Sequence, residues 1–387
     1  MRQVETRPSP TVQQVSDMLP SGEPMLAVLA KRTYDVGADG RCSLADEQAP
    51  LLAAPLDDPD VPDLLLADSD LHPYKPRTDL VLLGHAHGRQ RVRRLEVLVR
   101  VPGHEHRIAV IGARTCSIEQ GKLRFSDPLP IDKVPLSPLY AYGGRDRGAE
   151  ARHGNPLASP EWSRALAGAD PDALSPYRYP RNPVGRGYLL EVDPGHDDAF
   201  ELPQLEDPTD LLTPTRIVGD WLDNWHRLPL PHAGGWVHYD WYPRIAFAGM
   251  VPIVEHFDEP PLEVERELVP DLLADGTGRT VLDFRYEIAC GAPLGLQVPH
   301  LRGGEPVELH GVHPTRPRWG FTVPPAPRLH TDGRDGRLNP AEPVLHTVVI
   351  EPDLDRITLV WRGAAPARRQ YHPQELESMP LRVDWRE

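Results

Sequence analysis

The stretch Thr347-Val348-Val349-Ile350, followed by Glu351-Pro352-Asp353-Leu354-Asp355-Arg356 and then Ile357-Thr358-Leu359-Val360-Trp361, reads as two strands joined by a polar connection. β-Branched and aromatic residues crowd both flanks, as a pleated, buried surface favours. Between them, Pro352 and two Asp supply turn chemistry over the length a hairpin uses. An antiparallel sheet is the fold that follows.

The same signal recurs toward the N-terminus. Leu95, Val97, Val99 and Val101 alternate with Glu96 and Arg100, which puts the apolar set on one sheet face. Residues 106–111, 122–125 and 281–288 read similarly, the last with Leu282, Phe284, Tyr286 and Ile288 on one face. The run 25–36 passes into Gly37-Ala38-Asp39-Gly40 as a strand enters a turn. Helix signals are confined to 159–167, with Ser159 as N-cap and Pro160 at the first helical position, to 215–224 and to 263–274. With 46 Pro and 31 Gly among 387 residues, long helices are broken too often to dominate. The expected fold is all-β, two sandwich- or barrel-like antiparallel domains with a few short helices outside. The expected division is a polar arm over 1–24, a first β domain over 25–185 whose irregular region begins near 140, and a second over 186–387.

Composition narrows the function classes. Eight Trp, eleven Tyr and 40% hydrophobic residues provide enough apolar surface to offset ordering entropy. A net charge of −15 repels phosphate backbones, which speaks against a nucleic-acid partner. Charge is segregated: 42–74 carries eight acids and no Lys or Arg, and 75–107 carries eight bases against three acids, so that the two segments are open to pairing, and read either as a solvated acidic loop beside a basic strand edge or as a dedicated partner patch. Cys42, Cys116 and Cys290 are scattered and odd in number, the pattern of a reducing compartment rather than a disulfide framework. The first residues lack an apolar signal core, so neither export nor membrane insertion is expected.

Two His pairs, His85/His87 and His104/His106, each lie at the i, i+2 spacing that shares one strand face and is able to ligate zinc. Gly84 and Gly88 bracket the first pair like a turn, and no third-ligand motif follows. Gly195-His196-Asp197-Asp198 and His256-Phe257-Asp258-Glu259 mix His with carboxylates, but 17 His among 57 acids produce such neighbours by composition alone. No nucleophile elbow, phosphate loop, dinucleotide fingerprint or zinc-protease helix is present. No catalytic, cofactor or metal residue is assigned. The aromatic run Trp236-Val237-His238-Tyr239-Asp240-Trp241-Tyr242, with Trp221 and Trp225 upstream, is either core or an exposed contact, because Trp and Tyr anchor both.

A series of non-periodic pieces has its own order: Lys31-Arg32-Thr33-Tyr34; Asp68-Ser69-Asp70-Leu71 before Lys75-Pro76-Arg77-Thr78-Asp79; Ser126-Asp127-Pro128 before Pro135-Leu136; Tyr142-Gly143-Gly144; Asn182-Pro183-Val184-Gly185-Arg186-Gly187-Tyr188; Leu202-Pro203-Gln204-Leu205-Glu206-Asp207-Pro208; and Leu359-Val360-Trp361-Arg362-Gly363. In these pieces the chain resembles the bacterial family catalogued as domain of unknown function 2169. The turn-forming Asn-Pro, Gly and Asp-Pro elements look like architecture, with Lys, Arg and Asp cross-linking loops. The resemblance implies a cytoplasmic adaptor or chaperone in type VI secretion, without enzymatic activity or cofactor. Its implied partners are a secreted effector toxin, a PAAR-domain tip protein and the VgrG spike protein. The alternatives are a metal-assisted hydrolase using the His pairs and a structural component of the apparatus. Residues 216–275 depart from the family pattern, which makes Trp236, Tyr239 and Trp241 the expected cargo contact.

Overall fold

The computed structural model describes residues 4–18, 21–154, 175, 177–190, 192, 199–217, 227–248, 285–332, 334 and 337–386. Its curled, largely antiparallel sheets form a half-barrel. The hairpin is its centre. Leu338–Glu351 and Arg356–Pro366 pair from Glu342↔Ala364 to Glu351↔Arg356, and Asp355 closes the turn in the left-handed region at φ 51°. Arg356–Pro366 in turn pairs with Pro24–Val36 along its whole length. Met25 through Ala30 are all fully buried, because a strand flanked on both edges and covered on both faces needs a continuous apolar run.

Among the described residues the largest sheet has ten strands. Its main path runs Val4–Glu5, Leu381–Asp384, Arg328–Asp332, Leu338–Glu351, Arg356–Pro366, Pro24–Val36, Val12–Met18. Thr78–Leu82 joins in parallel to the second half of Leu338–Glu351, opposite residues 347–350, while the first half of that strand pairs with Arg328–Asp332. The switch falls at a register shift between Leu345 and Thr347, which leaves His346 as the extra residue of a bulge. A five-stranded sheet follows the order Leu205–Glu206, His104–Ile111, Arg94–Val101, Pro306–His310, Arg318–Thr322. One core joins the two sheets, with Leu80, Val97, Ile108, Leu309, Val348 and Trp361 among its members. A smaller core gathers Cys116, Tyr142, Tyr177, Tyr179, Tyr188 and Leu202.

Three expectations change. Val12–Met18, expected within a polar arm, is an edge strand hydrogen-bonded from Val12↔Ala30 to Met18↔Pro24, and Gln14 is buried with its Nε2 donating to the Met379 carbonyl at 2.9 Å. An edge strand with one covered face tolerates the Gln, Ser and Asp that made this segment read as an arm. Next, the sheets do not divide near residue 185: each takes strands from both halves of the chain, so the two sequential β domains merge around one core. Lastly, Tyr286–Ala289 is a single 3-10 turn rather than the end of a strand. Residues 281–284 lie outside the described residues, as do 159–167, 263–274 and 218–224 of the expected helices, while 215–217 form a turn.

Candidate functional site

Most of the charged motif residues turn inward. Lys31 Nζ donates to Asp70 Oδ2 at 2.6 Å, and the same oxygen accepts the Leu52 amide at 2.8 Å. Lys75 Nζ donates to Asp79 Oδ2 at 2.7 Å and to Thr347 Oγ1 at 3.2 Å, and Asp79 Oδ2 also accepts the Gly291 amide. Arg244 reaches Asp68 Oδ2 at 2.5 Å while donating to the carbonyls of Ile288 and Val237. Burial pushes the Asp68 carboxyl up, but His72, Arg244 and Lys75 together hold it well below the usual range. Arg114 and Glu206 form a fourth buried pair, with Glu206 Oε2 accepting the Leu212 amide. Arg32 lies 3.9 Å over the Trp385 ring, and Tyr34 and Trp361 belong to the core. The acidic segment 42–74 is therefore tied to Lys31, Arg178 and Arg244 rather than to the basic segment that follows it.

Three motif pieces meet at one place. Tyr142-Gly143 pairs in parallel with Arg186-Gly187, and Ala141 bridges to Leu205. Asn182 is fully buried beneath them, donating from Nδ2 to the carbonyls of Pro138 and Tyr142. Pro183 is half-buried beside it, and Pro203 packs so closely on Gly187 that a Cβ there would stand 2.8 Å from its ring. Glycine is required at Gly143, where φ is +150° and a Cβ would come within 2.1 Å of the Asn182 carbonyl oxygen. Over this floor opens a groove of about 360 Å³, lined by Gly143, Gly144, Gly185 and Gly187 and rimmed by Arg145, Arg147, Arg152 and Arg186. Arg145 pairs with Glu150 and Arg186 with Glu201, whereas Arg147 is exposed. Leu202 and Glu206 are buried behind the groove, Asp207 and Pro208 half-buried beside them, and Pro76 half-buried near Lys75. Gly143→Ala is expected to cost on the order of 2–4 kcal/mol through strain and overpacking, against about 1 kcal/mol for Gly103→Ala, whose Cβ would meet open space. Urea denaturation of the two variants checks it; equal losses would show that the close approach is not needed.

The His pairs are not brought together. His85 Nδ1 and His87 Nε2 share one carboxylate, Asp353, at 2.7 and 2.6 Å, so they anchor the tip of the central hairpin. His104 bonds the Gly295 carbonyl, and His106 stacks on His232. Among the described residues no group of three His, Cys, Asp or Glu is placed to hold a metal ion, and no helix is long and apolar enough to cross a membrane.

The aromatic run divides. Trp236 and Trp241 are 4% and 3% exposed, so neither is available as a contact, whereas Tyr239 is 41% exposed. Trp221 and Trp225 lie outside the described residues. A family model, described as uncharacterized protein conserved in bacteria (DUF2169), matches residues 21–362. The chain belongs to this family. No curated protein and no solved structure matches it significantly. The DUF2169 match takes in every motif quoted above except the last residue of Leu359-Val360-Trp361-Arg362-Gly363, together with both the groove and the aromatic run. Sequence reasoning missed Asp146, whose buried carboxylate accepts the amides of Ala149 and Leu190 beside the groove, and Asp353, the partner of the first His pair. The contacts of Asp353 lie more than 260 residues away, and no local pattern announces them.

Proposed function

We propose that this DUF2169 protein is a non-enzymatic cytoplasmic adaptor that holds a secreted effector toxin of a type VI secretion system, or the PAAR-domain tip protein that carries it, and assists its loading onto the VgrG spike. The observation that carries the proposal is the groove where three motif pieces meet. Its glycine floor allows close backbone approach, and its open, arginine-rimmed shape accommodates an extended protein segment. The inward-facing charges support it too, because the motif residues Asp70, Asp79, Glu206 and Asp68 are spent on Lys31, Lys75, Arg114 and Arg244, bracing the frame instead of lining a cleft. No cofactor enters the proposal.

The test is affinity capture of the tagged full chain from its own cells while secretion is active, with mass spectrometry of bound proteins and metal analysis of the same sample. An effector, a PAAR-domain protein or VgrG is expected. A partner-free preparation carrying one zinc per chain would overturn the adaptor proposal in favour of the hydrolase alternative.

A further inference from the structure

Tyr239 is an exposed aromatic ring beside the carboxylates of Asp57 and Asp240. The His238 ring lies 4.0 Å from the Tyr239 ring, centroid to centroid. The His238 side chain is only 4% exposed, and its Nδ1 accepts the Asp240 amide at 3.1 Å, which places the ring proton on Nε2. That nitrogen faces Asp57 Oδ1 at 3.7 Å, too far for a hydrogen bond. Asp57 and Asp240 are 57% and 52% exposed, and neither has a Lys or Arg partner among the described residues. Among the described residues, the arginines whose fields reach this surface are engaged with other carboxylates, Arg178 with Asp63 and Arg244 with Asp68. Burial holds the Asp240 carboxyl above its ordinary range, and the fields of Asp63 and Asp57 add to it, against the opposing fields of His238 and Arg178. The short hairpin that carries Asp57 also exposes Leu56 and Leu66.

From this arrangement we infer that the surface around Tyr239 docks an arginine- or lysine-rich segment of the partner protein, an inference that rests on reading the chain as an adaptor. A guanidinium stacks on an aromatic face and bridges two carboxylates with charge-assisted hydrogen bonds, which matches Tyr239 between Asp57 and Asp240. Exposed Leu56 and Leu66 give the flanking apolar side chains of such a segment a place to pack.

The probe is a labelled peptide alternating Arg and Gly, followed by fluorescence anisotropy on the full chain beside a Glu-Gly peptide of equal length. The wild type is expected to prefer the cationic peptide by at least about tenfold, with affinity falling as salt rises. Tyr239→Ala with Asp240→Asn is expected to weaken binding by about tenfold or more. Asp127→Asn with Glu342→Gln, which removes two well-exposed carboxylates elsewhere, is expected to leave it within about twofold. Equal affinity for both peptides, wild-type affinity in the Tyr239 variant, or an equal loss in the control pair would each overturn the inference. Capture from cells separates the two proposals. A secretion partner recovered equally by the wild type and by the Tyr239 variant removes the patch and leaves the adaptor; recovery of no such partner by the wild type removes the adaptor, while the peptide result still decides the patch.

Discussion

Lys75→Ala is expected to remove about 3–5 kcal/mol of stability, the cost of leaving a buried carboxylate without its cation. Lys75 and Asp79 have side chains 2% and 0% exposed, and Asp79 lies in Thr78–Leu82, the strand that inserts in parallel beside the central hairpin. Among the described residues, Asp79 Oδ2 would keep only the Gly291 amide, and Oδ1 already lacks a partner. At a site this closed the carboxylate left without its ammonium is poorly solvated or takes up a proton. The double variant Lys75→Met, Asp79→Asn is expected to recover most of the loss, because a buried pair is weak evidence of net stabilisation while a broken one is strongly destabilising. Chemical denaturation of the wild type, single and double variants measures both effects. A single-variant loss below about 1 kcal/mol would show that the pair does not brace the strand.

Acidification is the second large lever. His346, the bulge residue, is 1% exposed, neither ring nitrogen is hydrogen-bonded among the described residues, and it stands 6.3 Å, centroid to centroid, from His300. Burial first, and then the positive charges of Lys75 and Arg362, hold it well below its ordinary 6.5. His106 is pushed down to about 3 by burial of its ring nitrogen and by His232 and His104. A histidine whose folded pKa is depressed contributes its full stability above the unfolded value and loses it as pH falls, because the unfolded chain takes up the proton first. Between pH 6.5 and 5 His106 forfeits about 2 kcal/mol, that is, 1.5 units at ~1.4 kcal/mol per unit. His346 adds a loss of the same sign over the same range. In His346→Met the loss between pH 7 and 5 is expected to shrink measurably. An unchanged pH dependence in that variant would place the acid sensitivity elsewhere.

The hairpin and the strand of Leu95, Val97, Val99 and Val101 were legible because their apolar periodicity is local and complete. Val12–Met18 was not, since an edge strand buries little and its Gln, Ser and Asp carry no period-two signal. Lys31 and Arg32 stand out as motif residues, yet nothing nearby in sequence says that they are buried. Their partners, Asp70 and Trp385, are supplied by distant parts of the chain. The same limit applies to the aromatic run, where Trp236, Tyr239 and Trp241 look equivalent by type and only the packing turns one of them outward. The charge around Tyr239 is half local, in Asp240, and half remote, in Asp57. The large core shared by both halves of the chain was hidden for the same reason: register between strands more than 300 residues apart leaves no trace in either strand alone.

That interleaving sets a timetable for the protein's birth. Asp35 faces Arg356 in the finished sheet, 321 residues later (356 minus 35). At ribosomal speeds of roughly 5–20 residues per second, Pro24–Val36 emerges about 16–64 s before the strand that will cover its edge. During that interval its wholly apolar stretch from Met25 to Ala30 has only the neighbouring Val12–Met18 as a lasting partner from the large sheet's main path. Synthesis rather than the folded state is then the moment of greatest exposure. A cell that slows translation late in this message lengthens the time for which a sticky strand waits, and the yield of active protein should depend on general chaperones more than its finished stability would imply.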